Sequence, residues 1–92
     1  MIRWTKRVLK QFEAIRDHIA KDSPKAARKQ CGMILTAIDQ LESFPISGPG
    51  DVSPTRELVV PGTPYIVYYR LGDGVIFLKA IRHAARQKPR HF

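Results

Sequence analysis

Cysteine is almost absent from this chain: Cys31 is the only one in 92 residues. That excludes an internal disulfide and a cysteine-built metal cage, and it fits a reducing compartment. No apolar run approaches the ~20 residues a bilayer-spanning helix needs. The opening stretch Met1-Ile2-Arg3-Trp4-Thr5-Lys6-Arg7 is charged at once and lacks an apolar signal core, so a cytoplasmic protein without a membrane partner is expected. Glycine-rich phosphate loops, a His-Glu-x-x-His helix and zinc-ligand spacings are all missing. The three histidines, His18, His83 and His91, are too scattered to propose a metal site. No metal and no cofactor are therefore expected. Acidic residues are few in the second half, where Asp51, Glu57 and Asp73 offer no evident catalytic pair.

What the chain does have is positive charge. Sixteen Lys and Arg stand against eight Asp and Glu, a formal net charge of +8. Residues 79–92 carry Lys79, Arg82, Arg86, Lys88 and Arg90 with no acid among them. Such an unrelieved basic tail points to an acidic partner, nucleic acid or protein.

The apolar pattern orders the elements within a single domain, 1–92. Ile2-Arg3-Trp4 reads as a short opening strand, and Thr5 as a helix cap. Val8, Phe12, Ile15 and Ile19 recur at helical spacing, predicting a helix from about Lys6 to Lys21. Asp22-Ser23-Pro24 restarts the chain into a second helix, because proline at the first helical position sacrifices no hydrogen bond. Ala27, Cys31, Ile34, Ile38 and Leu41 form its apolar stripe, which makes Cys31 a core residue. The helix should end near Ser43, before Phe44-Pro45. A loop rich in Pro and Gly follows, from Pro45 to Pro54. Beyond it the period falls to two. Arg56–Val60 and Tyr65–Leu71 are strands separated by Pro61-Gly62-Thr63-Pro64. Gly72-Asp73-Gly74 is a tight turn, and Val75–His83 a last strand. The order β-α-α-β-β-β describes an α+β fold in which a helical hairpin packs on an antiparallel sheet.

Both alternating sets of the last two strands are apolar: Tyr65, Val67, Tyr69 and Leu71 against Ile66 and Tyr68, then Val75, Phe77 and Ile81 against Ile76, Leu78 and Ala80. One hairpin covers one face, so the second face should be covered by a partner chain or by the tail. Tyr68 and Phe77 are the expected anchors for a partner there. The cations nearest the sheet are Arg56, Arg70, Arg82, His83 and Arg86. A guanidinium on a strand of so small a domain needs a partner or a purpose.

The run Arg56-Glu57-Leu58-Val59-Val60-Pro61-Gly62-Thr63-Pro64-Tyr65-Ile66-Val67-Tyr68-Tyr69-Arg70 resembles the signature stretch of ParE-type toxins, in the RelE/ParE superfamily of toxin–antitoxin systems. The ending His83-Ala84-Ala85-Arg86-Gln87-Lys88-Pro89 is similar to that family's His-x-x-Arg-x-x-Pro segment, and the Ser-Pro-x-Ala-Ala restart at Ser23–Ala27 fits its helical half. The resemblance spans essentially the whole chain.

It implies a growth-inhibiting toxin neutralised by a cognate antitoxin. ParE-branch members poison DNA gyrase and block replication; RelE-branch members cut messenger RNA on the ribosome. Fold does not separate the two. The favoured expectation is a non-enzymatic gyrase inhibitor, because the Pro61–Pro64 turn resembles the ParE branch and the lysine-flanked terminal acid–base residue usual in the RelE branch is missing. Arg82, His83, Arg86, Lys88 and Arg90 are then the target-binding candidates, with Tyr68 and Phe77 facing the antitoxin. If the chain were instead a ribosome-dependent endoribonuclease, Arg56, Arg70, His83 and Arg86 would be its catalytic candidates, supplying cations for the phosphorane-like transition state and a proton-transfer group. A plain nucleic-acid-binding module is the third reading; it has the charge but no helix-turn-helix or RNP-type motif.

Overall fold

The computed structural model describes residues 1–43, 55–72 and 74–86. The elements are β1 (Ile2–Arg3), α1 (Lys6–Asp22), α2 (Pro24–Ser43), β2 (Arg56–Val59), β3 (Tyr65–Gly72), β4 (Val75–His83) and a 3₁₀ turn, Ala84–Arg86. Each boundary has a local cause. Thr5 Oγ1 accepts the Val8 N–H at 3.2 Å, capping α1, and donates to the Leu78 carbonyl at 3.3 Å, fixing that cap to the sheet. Ser23 alone separates the helices. Its N–H closes α1 on the Ile19 carbonyl at 3.0 Å, while its Oγ opens α2 by accepting the Ala26 N–H at 3.0 Å. One extended residue (φ −159°, ψ 104°) thus turns the chain between two long helices.

The sheet order is β1-β4-β3-β2. The meander β2-β3-β4 is antiparallel, as its tight turns demand. β1 lies parallel to β4, with Ile2 opposite Ile76 and Arg3 opposite Phe77, so the complete sheet is mixed. Between β2 and β3, Pro61 and Gly62 (φ 81°) form the centre of a turn closed by the Thr63 N–H on the Val60 carbonyl at 3.2 Å, the proline–glycine pattern of a type II turn. A Cβ at Gly62 would run into Met33 Cε. The loop 45–54 and the tail segment 87–92, with Lys88 and Arg90, lie outside the described residues, as does Asp73.

Strand alternation departs from the sequence expectation at one point. Tyr68 pairs with Ala80, yet Tyr69 pairs with Leu78, leaving Lys79 as an extra residue in β4. This bulge inverts the alternation. Ile81 therefore joins Ile76 and Leu78 on the helix-facing side, and Ala80 joins Phe77 on the other, which corrects the grouping read from strict period two. The core under the helices follows suit: Val8, Ile34, Ile38, Val60, Val67 and Leu78 are at most 1% exposed and pack with Tyr65, Tyr69, Ile76 and Ile81.

The second face is closed at its centre within the chain itself. Tyr68 is 2% exposed and Ala80 fully buried, although neither belongs to the cluster beneath the helices. The rim of that face stays open, with Val59 exposed and Ile66 and Phe77 half-buried.

Gly74 has φ 76°, and a Cβ there would meet nothing. Space is free; only the backbone objects. Gly74→Val should therefore cost about 1–2 kcal/mol, read as a melting temperature several degrees lower. An unchanged melt would contradict a left-handed residue 74.

Cys31 is buried on the inner face of α2, and burial pushes its thiol pKa up, with Arg16 opposing more weakly. The folded chain then holds this proton at pH values where the unfolded chain has released it. That contribution to stability is complete below the unfolded thiol value of about 8.5 and declines as pH rises through the folded one. Accordingly, a disulfide reagent should label Cys31 slowly in the native protein and at the free-thiol rate in denaturant. Fast native labelling would contradict the placement.

Candidate functional site

Two surfaces carry the chemistry. The first is a cleft where α1 crosses the far end of β4. β1 covers β4 only at Ile76 and Phe77, so the remaining outer edge of β4 must find other partners. α1 supplies them: Thr5 takes the Leu78 carbonyl, and Gln11 Oε1 accepts the Ile81 N–H at 2.8 Å. Beyond Gln11 opens a cleft of about 410 Å³ lined by His18, Tyr65, Arg82 and His83, with an apolar wall of Ile15 and Ile81. His83 stands edge-on to Tyr65 at 5.3 Å between ring centroids. Its Nδ1 accepts the Ala85 N–H at 3.1 Å, which turns the chain into the 3₁₀ segment and puts the ring proton of the neutral form on Nε2. The Ala84 N–H donates to the Pro64 carbonyl at 2.7 Å, fastening the tail's root to the β2–β3 turn.

The second surface is the sheet face away from the helices. Its cross-strand rows follow from register. Phe77 is flanked by Arg3 on β1 and Arg70 on β3, both exposed. The next row holds Glu57, Tyr68 and Ala80, and the one after it Val59, Ile66 and Arg82. An aromatic ring between two guanidinium groups is a ready seat for an amphipathic acidic segment, apolar contact in the middle and carboxylates on either side. Burial pushes the Tyr68 phenol pKa up, Glu57 pushes it further, and Arg82 opposes both. Tyr68 therefore stays neutral well past physiological pH.

The structure separates several residues that the sequence groups together. Arg70 faces the second side of the sheet opposite Phe77, whereas His83 pairs with Tyr65 on the helix side. The two rows are five steps apart along β3, ~17 Å at ~3.3 Å per residue. Arg56 is opposite Tyr69 at the start of β2, on the side away from Arg70. Arg56, Arg70 and His83 do not converge on one point. Arg82 and His83, by contrast, both border the α1 cleft, and Arg86 follows directly in the 3₁₀ turn. Gln11, His18 and Arg3 are contributors that the sequence reading leaves out. The helical period of α1 gives the spacing of Gln11 and His18, but only the docking of α1 across β4 brings them to His83. Among the described residues no group of three or more His, Cys, Asp or Glu could hold a metal.

The architecture is a helical hairpin packed on a four-stranded mixed sheet. The chain matches the family described as ParE toxin of type II toxin–antitoxin system, parDE, over residues 2–88. It is 44% identical over 89 residues to "Putative toxin Y4kP" of Sinorhizobium fredii, covering 96% of this chain and 92% of that protein. It is 42% identical over 83 residues to "Toxin RelE2" of Caulobacter vibrioides, covering 90% and 93%. The fold matches a chain of the chromosomal ParDE toxin–antitoxin system from P. aeruginosa with TM-score 0.73 over 89% of this chain and 92% of that one, at 23% identity. The protein belongs to the ParE toxin family of type II toxin–antitoxin systems. A cognate antitoxin is therefore its partner. No helix among the described residues is long and apolar enough to cross a membrane.

Proposed function

We propose that this toxin poisons DNA gyrase in the cytoplasm as a binding protein rather than an enzyme, holding the cleaved gyrase–DNA complex and blocking replication. The observation that carries this reading is the dispersal of Arg56, Arg70 and His83 over two faces of the sheet. RNA cleavage needs its cations and its proton-transfer group around one phosphate. Binding makes no such demand, and a basic segment running from Arg82 and His83 through Arg86 to Lys88 and Arg90 suits a target that presents phosphates and carboxylates. The antitoxin, on this reading, takes the second sheet face around Phe77, where an acidic segment finds Arg3 and Arg70, and Tyr68 supports the floor from beneath.

The second reading is ribosome-dependent cleavage of messenger RNA, favoured by the RelE name of the Caulobacter relative. Induction in growing cells separates the two. Gyrase poisoning should provoke the DNA-damage response within one replication cycle while messenger length is preserved. Shortened messengers without DNA damage would favour the ribonuclease, with His83 and Arg56 the first residues to substitute.

A further inference from the structure

The cleft between α1 and the end of β4 has two chemically different ends. Gln11 and His18 lie seven residues apart on α1, ~10 Å at ~1.5 Å per residue. On the facing strand, Ile81 is held to Gln11 by its N–H, and His83 lies two residues further along. At the first end, Gln11 Oε1 is taken by the Ile81 N–H at 2.8 Å, so the amide keeps its two Nε2 hydrogens for an occupant. At the second end stand His18, Arg82 and His83. With Nδ1 engaged by the Ala85 N–H, His83 offers its Nε2–H. Between the two ends runs an apolar wall of Ala14, Ile15, Tyr65 and Ile81. No Asp or Glu is among the described residues that line the cleft.

Each part narrows the occupant. Donors at both ends without a carboxylate select an anion with acceptor atoms. A metal ion on His83 Nε2 would move the ring proton to Nδ1, where the Ala85 N–H already points. A bare phosphate would use only the histidine end and leave the apolar wall wet. An aliphatic carboxylate would cover that wall but bring nothing to the Gln11 amide. A nucleotide has all three parts: an anionic phosphate, a flat ring with an apolar face, and acceptor atoms on the base edge. The cleft volume of about 410 Å³ is that of a small-ligand site.

We propose that this cleft binds one nucleotide, its base against Ile15 and Ile81 with an edge acceptor on the Gln11 amide, and its phosphate at His18 and His83. A free mononucleotide and one unstacked nucleotide of a single strand carry the same chemistry. Neither gyrase nor a ribosome is needed for the binding.

The test is titration of the full-length toxin with 2′-deoxynucleoside 5′-monophosphates, followed by calorimetry and by the imidazole NMR signals of His18 and His83. A Kd of about 1 mM or tighter is expected, with inorganic phosphate and the phosphate-free nucleoside each weaker by about tenfold or more. Gln11→Glu keeps an acceptor for the Ile81 N–H but replaces the donors by a carboxylate oxygen. It should lower nucleotide affinity about tenfold while melting near the wild-type temperature. Ala14→Trp, on the exposed rim, should fill the cleft and abolish binding with the net charge unchanged. A single-stranded trinucleotide separates the two sources. Tighter binding than the monophosphates identifies a nucleotide within a strand, and weaker binding a free one; both support the site if Ala14→Trp removes them. Inorganic phosphate binding as tightly as the nucleotides, or affinity unchanged in Ala14→Trp, would overturn the proposal. So would an acidic peptide that displaces every nucleotide from the cleft at lower concentration. A toxin that linearises plasmid with gyrase yet binds no nucleotide would refute the cleft assignment and leave gyrase poisoning standing.

Discussion

Reversing the tail cations (Arg86→Glu, Lys88→Glu and Arg90→Glu together) is expected to abolish action on gyrase while leaving a folded protein that still binds its antitoxin. A charge-assisted contact contributes about 1 kcal/mol or more, so three lost contacts weaken target binding roughly a hundredfold, before the added repulsion. The attraction is partly long-range, so raising salt should weaken the wild type in the same direction. Charge reversal is a cleaner test than deleting residues 84–92. Deletion would also remove the Ala84 N–H bond to Pro64 and the Ala85 N–H bond to His83, which shape the end of the sheet. Antitoxin affinity should change only a few-fold if that partner sits around Phe77. An equally large loss of antitoxin and gyrase binding would place both partners on the tail and contradict the division of surfaces.

Tyr68 should have the largest effect on stability. It is almost fully buried on the face opposite the helices, between Glu57 and Ala80. Tyr68→Ala leaves a ring-sized cavity and should cost about 3–5 kcal/mol, a large part of a small domain's stability. Chemical denaturation should show the midpoint falling with little change in slope. Phe77→Glu sits on the half-buried rim and should cost far less stability. It should instead weaken the antitoxin complex, by removing an apolar contact and placing a carboxylate where the proposed acidic segment would sit. If Tyr68→Ala unfolds no more readily than Phe77→Glu, the centre of the second face is not packed as described.

Much of this was legible in the sequence because it depends on local chemistry. The helical stripes, the capping hydroxyls of Thr5 and Ser23, and the Pro61-Gly62 and Gly74 turns each act within a few residues. The parallel pairing of β1 with β4 was not legible, since it joins Ile2 to Ile76 with no local signal. The bulge at Lys79 was hidden for a related reason. Every residue from Val75 to Leu78 is apolar, so the sequence gives no polar mark from which to count the alternation. The candidate cations show the same limit. Arg70 and His83 each look available in the sequence, but which face either occupies depends on strand parity and register. Tyr68 and Phe77 share a face by register, and only burial separates Tyr68 in its floor from Phe77 on its rim.

The most direct test of the central claim uses the purified toxin with DNA gyrase, supercoiled plasmid and ATP, beside translating ribosomes carrying a labelled messenger. Linear plasmid should accumulate after protein is digested away, the tail-reversed variant should produce none, and the messenger should stay intact. Cut messenger on the ribosome with plasmid left unbroken would contradict gyrase poisoning and make this member of the ParE family a ribonuclease.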